Sequence, residues 1–390
     1  MQKVYLDNAA TTKVMPAVVE AMLPYFTEYY GNPSSFHGFG RDAHKGLDEA
    51  RRTVARCLNA ADPMEITFTG GGSEGDNMIL RGVAKANRKK GNHIITTAIE
   101  HHAVLHTLMA MEAEGTATVT YLPVDHDGLV TAEQVKAAIR PDTILVSVMF
   151  ANNEVGTIEP IAEIGKVCRE AGVLFHTDAV QAVGHVPVDV QAMHIDLLTL
   201  TAHKFHGPKG VGAVYIRKGV RVPALVQGGA QENKKRAGTE NIPGIVGLAA
   251  ALDYQVSHMD ENIEKMTRLR DKLINGIEAR IPSVELNGHR TKRLPNNVNF
   301  CLRYIESESV LLWLDMNGIA GSSGSACTSG SLDPSHVLLA MGVSHEAANG
   351  SLRLTLSEFT TDEEIDYTLD ILPQVVQRLR DMSPIYPKGE

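Results

Sequence analysis

The chain has 390 residues, 43% of them hydrophobic, which is enough to bury a large core and to divide into more than one lobe. Its 37 basic and 46 acidic residues leave a formal charge of -9, which argues against a general electrostatic grip on nucleic acid or on an anionic membrane. The opening MQKVYLDNAATT has no basic region leading into an apolar run, and no stretch nears the roughly 20 apolar residues of a membrane span, so a cytoplasmic protein acting on small molecules or proteins is expected.

From about residue 15 to 260, amphipathic helical runs alternate with short β-rich runs: MEITFT, NHIITT, TVTYLPV, TILVSVMF, VLFHTDA, LLTLTA and GAVYIR. That rhythm predicts an α/β domain built on a mostly parallel sheet, whose ligands gather at the carboxyl ends of the strands. Ser73 with Asp76 three residues later reads as a capping box, and Gly172 as the stop of the helix that holds Cys168. Beyond about residue 240 a long helical stretch, broken near Met259 and Asp260, leads into SVELNG, VNFCL and RLTL and a terminal helix around EEIDYTLDILPQVVQRL. This region predicts a smaller α+β domain, against which the N-terminal segment is expected to pack. The Gly/Ser-rich GSSGSACTSGS, residues 321 to 331, has the composition of a mobile loop, and Asp333-Pro334 reads as the cap and first position of the next helix.

Four cysteines, at 57, 168, 301 and 327, form no Cys-x-x-Cys pair, so neither a disulfide framework nor a zinc site is signalled. Cys57 and Cys168 fall within amphipathic helical patterns, as small buried thiols do. Cys327 alone has small, flexible neighbours.

Four strand ends carry candidate chemistry. After MEITFT, Gly70-Gly71-Gly72-Ser73 opens a helix, leaving backbone amides and a positive helix end for an anion such as phosphate, although such glycines also serve tight turns alone. The pattern is neither G-x-G-x-x-G nor a P-loop, which counts against nicotinamide and ATP. Glu100-His101-His102 opens another helix, while Asp178 and Gln181 follow VLFHTDA. Each has a plain local alternative, a helix start or a turn cap. Together they suit a pyridine ring, with an imidazole stacked on its face and a carboxylate at its nitrogen. LLTLTA runs into Thr201-Ala202-His203-Lys204, where a desolvated lysine could form a Schiff base beside donors for a phosphate. Alone, Lys204 would read as a solvated surface lysine.

At this point the chain resembles the NifS/IscS-type cysteine desulfurases, class V members of the fold-type I pyridoxal-phosphate enzymes. The likeness runs through YLDNAATT, YGNPSS, GGSEGDN, IEHHAV, ANNEVGT, HTDAVQAVG, HKFHGPKGVG, RAGTEN, GSACTSGSLDPSHV and SLRLTLSEFTT, and is nearer the nitrogen-fixation type than the housekeeping type. It implies a large domain, residues 15-260, with a mostly parallel seven-stranded sheet. Residues 1-14 and 261-390 would form the small α+β domain carrying the persulfide loop, residues 321-332. It also implies a homodimer acting on L-cysteine with pyridoxal 5'-phosphate and passing sulfur to an iron-sulfur scaffold or another acceptor. By the same resemblance, Lys204 attaches the cofactor, His101 stacks on its ring and moves protons, Asp178 pairs with the ring nitrogen, and Gln181 and Asn153 lie at the hydroxyl edge. Gly72, Ser73, Thr201 and His203 hold the phosphate, joined by Thr239 from the partner subunit. Arg353 grips the substrate carboxylate, with Asn153 nearby, and Cys327 accepts the sulfur. Relatives often carry Ala-Thr at Gly72-Ser73 and Ser-Gly-His at Thr201-Ala202-His203, changes that keep the hydroxyl. The alternatives are a selenocysteine lyase, a class V aminotransferase and an inactive scaffold subunit.

Overall fold

A computed structural model describes residues 2-323 and 334-387. After a short N-terminal strand, β1 (Val4–Tyr5), the chain contributes seven strands to one sheet: β2 (Ile66–Thr69), β3 (His93–Thr97), β4 (Thr118–Leu122), β5 (Thr143–Ser147), β6 (Leu174–Asp178), β7 (Leu197–Thr201) and β8 (Gly212–Ile216). Their order is β2-β8-β7-β6-β5-β3-β4. The ladders from β7 to β4 are parallel, and β8 runs antiparallel to both its neighbours. Six strands therefore point one way. The order reverses between β3 and β5, a switch point where the loops part and leave a crevice.

The sheet is covered on both faces, which is why its central strands read as apolar runs without alternation. On one face, Phe68, Val146, Phe175 and Leu198 pack with Val54 of the helix Gly38–Cys57 and Leu248 of the helix Ile242–Ser257. On the other, Ile94, Leu145 and Leu197 meet Met78, Ile79 and Val83 of the helix Gly72–Asn87 and Val104 and Leu108 of the helix His102–Ala113. His258 separates the helix Ile242–Ser257 from the next, Met259–Arg280, at the break read from the sequence.

A second sheet is antiparallel: β9 (Val284–Leu286), β10 (Asn297–Leu302) and β12 (Ser351–Thr355), in the order β12-β10-β9, with β11 (Ile319–Ala320) pairing in parallel with β1 instead. Val4 and Leu6 are buried with Leu269, Leu273, Phe300, Leu314 and Leu354, so the N-terminal residues share the core of the C-terminal sheet. Past that core, Asp7 bridges to Thr355, Asn8 donates its side-chain amide to Thr355 O at 2.8 Å, and Thr12 N donates to His203 O at 2.9 Å. The DNAATT run thus spans from the small sheet to the end of β7.

Two local readings are corrected. Ser73 is not a cap: the helix begins at Gly72 with Gly71 as its N-cap, no side chain closes that end, and Ser73 lies inside the first turn. Gly71 takes φ 154°, which turns the backbone before the helix and displaces the cap by two residues. Similarly, Pro334 is not the first helical position: the next helix starts at His336, with Ser335 accepting the N–H of Leu338 as its cap, while Asp333 lies outside the described residues. Gly172, in contrast, ends the helix Ile161–Ala171 in the left-handed conformation, φ 66°. Among the described residues no helix is long and apolar enough to cross a membrane.

Candidate active site

A cavity of about 420 Å³ opens where β2, β3, β5, β6 and β7 end, within the size range of small-molecule sites. Gly72, Ser73, His101, Asn153, Asp178, Gln181, Thr201, His203, Lys204 and Arg353 all line it. A more open space of about 470 Å³ adjoins, sharing Gly72, Ser73, Thr201 and His203. Four residues therefore face both spaces, at the N-terminus of a helix whose first amides have no side-chain cap. That end is suited to an anion.

Lys204 follows β7 in a single 3-10 turn and donates to the carbonyls of Ala9 at 2.6 Å and Ala10 at 2.9 Å. Asp178, at the end of β6, is 5% exposed. Burial pushes its carboxyl up to about 6, against the hydrogen bond from Val180 N at 2.9 Å and the positive charge of Lys204. Gln181 donates to Ala9 O at 3.1 Å. Thus the N-terminal strand-crossing segment supplies the carbonyls on which both Lys204 and Gln181 rest.

His101 caps the helix His102–Ala113: its Nδ1 accepts Ala103 N–H at 3.1 Å, which leaves the proton of the neutral ring on Nε2. Burial, then the charge of Lys204, lowers it to about 4. The adjacent His102 stands apart from the cavity lining, its ring 4.5 Å from that of His106 and 4.7 Å from that of His336. His203 lies 3.2 Å from Thr11 Oγ1 and is lowered to about 4, by burial first and by Lys204 and Lys209 next.

Arg353 on β12 is 3% exposed. Its Nη1 donates to Asn153 O at 3.0 Å, its Nη2 lies 3.1 Å from Asp7 Oδ1, and its Nε has no hydrogen-bond partner among the described residues. A buried guanidinium lining a cavity with a donor unused is set for an acidic ligand.

Thr239 is exposed and lies outside the cavity lining of its own chain. Cys327 and most of segment 321-332 fall outside the described residues. Asp7, Ala9, Ala10 and Ser322 line the cavity without having been singled out from the sequence, and so does Asp76, read there only as part of a helix cap. Only YLDNAATT, noted as a motif with no role, pointed toward the first three. Asp76 is 1% exposed and its Oδ1 lacks a hydrogen-bond partner; reading it as half of a capping box hid its inward aim.

A lysine, a buried carboxylate and an uncapped helix end at the carboxyl edge of this sheet define the class to which the site is built: the chain belongs to the aminotransferase class-V family, whose model matches residues 4-368. Within it, the chain is similar to the cysteine desulfurase IscS of Clostridium botulinum, 58% identical over 387 residues, covering 99% of this chain and 97% of that protein. A solved NifS-like protein superposes with a TM-score of 0.91 at 39% identity, covering 97% of this chain and all of that one. SspA, solved in complex with cysteine, has a TM-score of 0.82 at 36% identity, covering 92% of this chain and all of SspA. The fold is accordingly the fold-type I arrangement that the sequence resemblance implied.

Proposed function

We infer that the protein is a cysteine desulfurase dependent on pyridoxal phosphate, converting L-cysteine to L-alanine and taking the sulfur onto Cys327. The observation that carries this reading is the convergence of Lys204, Asp178, His101 and Arg353 on one cavity beside an uncapped helix N-terminus. That donor set fits the cofactor: a buried carboxylate for a ring nitrogen, an amine within the same cavity, and backbone amides with hydroxyls for a phosphate. Bound there, pyridoxal phosphate would supply an electron sink for negative charge at the substrate Cα.

The protein's own groups do the rest. Lys204 would hold the cofactor covalently, and its Nζ, when free, would take the Cα proton. Asp178 would keep the ring nitrogen protonated, with Gln181 and Asn153 at the hydroxyl edge. Gly72, Ser73, Thr201 and His203 would bind phosphate, completed by Thr239 of a second copy. Arg353 would orient the substrate through its carboxylate, and neutral His101 would cover the ring and exchange a proton through Nε2.

Sulfur transfer needs a thiolate. Cys327 would attack the substrate sulfur, forming the S–S bond as the substrate C–S bond breaks; the carbon skeleton then takes a proton and leaves as alanine. The other three cysteines are unsuited: burial pushes the thiols of Cys57 and Cys301 up to about 11 and that of Cys168 to about 12, and none lines the cavity. In this reading residues 15-260 form the cofactor-binding lobe, and residues 1-14 with 261-390 the lobe that bears Cys327. The sulfur would pass on to an iron-sulfur scaffold or a comparable acceptor in the cytoplasm.

The test is peptide mass mapping after brief exposure to cysteine without an acceptor. One reductant-labile sulfur is expected on Cys327 and none on Cys301, and Cys327→Ser should bind cofactor and cysteine yet release no alanine. Sulfur on Cys301, or normal alanine release by Cys327→Ser, would overturn the assignment.

A further inference from the structure

Between the large sheet and the helix Ile242–Ser257, Glu232, Asn233 and Lys234 occupy left-handed backbone in succession, at φ 47°, 56° and 65°. L-residues other than glycine visit that region singly, because Cβ crowds the neighbouring carbonyl, and three in a row need an outside restraint. The restraint is a buried clamp. Glu232 and Arg51 are each 5% exposed. Arg51 donates from Nη1 to Glu232 Oε2 at 2.8 Å and from Nη2 to Oε1 at 2.6 Å, and Phe68 N donates to the same Oε2 at 2.8 Å. Arg51 Nη1 also reaches Ile66 O at 2.7 Å. The strained turn is thereby fastened to β2, the edge strand that runs directly into Gly70–Ser73.

The other end of the segment is tied to the same place. Arg236 donates to both carboxylate oxygens of Glu74, at 2.8 and 3.2 Å, and Glu74 in turn accepts Gly70 N–H at 2.9 Å. Gly238 N donates to Gln231 Oε1 at 3.1 Å, closing the segment on itself, and Thr239 stands exposed at its end.

We propose that Glu232 is a positioning residue: the Arg51–Glu232 clamp holds the left-handed turn so that Thr239 is presented, in a fixed orientation, to the cofactor phosphate of a second copy of the chain. This rests on the proposed reading of Thr239 as a donor shared between subunits. The strain is then part of the device, since strained backbone persists where the surroundings over-determine it.

The holoenzyme supplies the test, with cofactor loss followed by absorbance during dialysis. Glu232→Gln should lose cofactor about fivefold faster than wild type but no faster when added to Thr239→Val, whereas Lys234→Gly, which removes a left-handed penalty and leaves the clamp intact, should raise the thermal midpoint with retention unchanged. A merely structural role would speed cofactor loss in the Thr239→Val background as well. Thr239→Val should speed cofactor loss to a similar degree. Glu232→Gln should increase tryptic cleavage after Lys235 and Arg236 about tenfold. Unchanged retention in Glu232→Gln, or a further loss when it is added to Thr239→Val, overturns the positioning role alone. Unchanged retention in Thr239→Val overturns the shared-donor reading beneath it, and unchanged cleavage in Glu232→Gln overturns the clamp.

Discussion

Arg353 is held by its own chain in the way the proposed carboxylate grip requires. Asn153 O and Asp7 hold its two terminal nitrogens, so the planar fork is oriented, while Nε has no hydrogen-bond partner among the described residues. Lysine at this position would keep the charge and lose the fork. Arg353→Lys is expected to raise KM for cysteine about tenfold, roughly 1.4 kcal/mol of ground-state binding, with cofactor absorbance unchanged; an unaltered KM in steady-state assays would contradict the assignment. Glu159 illustrates a different single-residue effect. It is 3% exposed, Oε2 accepts Val130 N–H at 3.0 Å, and burial first, with Glu100 and Asp125 adding repulsion, pushes its carboxyl up to about 8 from an ordinary 4.5. The folded state thus keeps a proton that the unfolded chain releases above about pH 4.5. Stability from this group is complete below that pH and falls as pH rises toward 8, at no more than about 1.4 kcal/mol per unit. Glu159→Gln abolishes the titration, so its unfolding midpoint relative to wild type should climb from pH 5 to pH 8. A difference that stays flat across those pH values would refute the protonated state.

At the scale of elements, the positions of turns and caps decide which side chains reach the cavity. The helix Gly72–Asn87 starts at a glycine without a side-chain cap, so its first amides remain for a ligand. The helix His102–Ala113 uses its own cap, His101, as a cavity-lining residue, coupling helix start and site in one side chain. Away from the site the same grammar serves stability. Gly172 has φ 66°, and an added Cβ would meet nothing within 4 Å, so Gly172→Ala isolates the conformational penalty of the left-handed cap. A loss of about 1 kcal/mol is expected in denaturant titration, with activity retained; no loss would mean that the helix end relaxes into another conformation.

For the whole molecule, assembly is the open consequence of the site. Thr239 lies outside its own chain's cavity, and Leu23, Phe26, Tyr30, Phe36 and Phe39 expose between 56% and 96% of their surface in one N-terminal stretch. A two-fold homodimer that shares its sites would use the first and cover part of the second. Light scattering of the holoenzyme should return twice the chain mass, and a fully active monomer would remove the shared site. The strand runs, the helix break near Met259, the stop at Gly172 and the lysine after β7 were legible in the sequence because each depends on neighbours a few residues away: periodicity, breakers and the φ freedom of glycine act locally. The resemblance of motifs then named the set of site residues. What the sequence alone could not supply was long-range. Asp7, Ala9 and Ala10 became part of the cavity only because Val4 and Leu6 are buried under a sheet more than 250 residues away, and Asp76 lines it from inside a helix whose packing against the sheet buries that face. Such placements follow from which apolar faces bury each other, and that is decided by the folded chain as a whole.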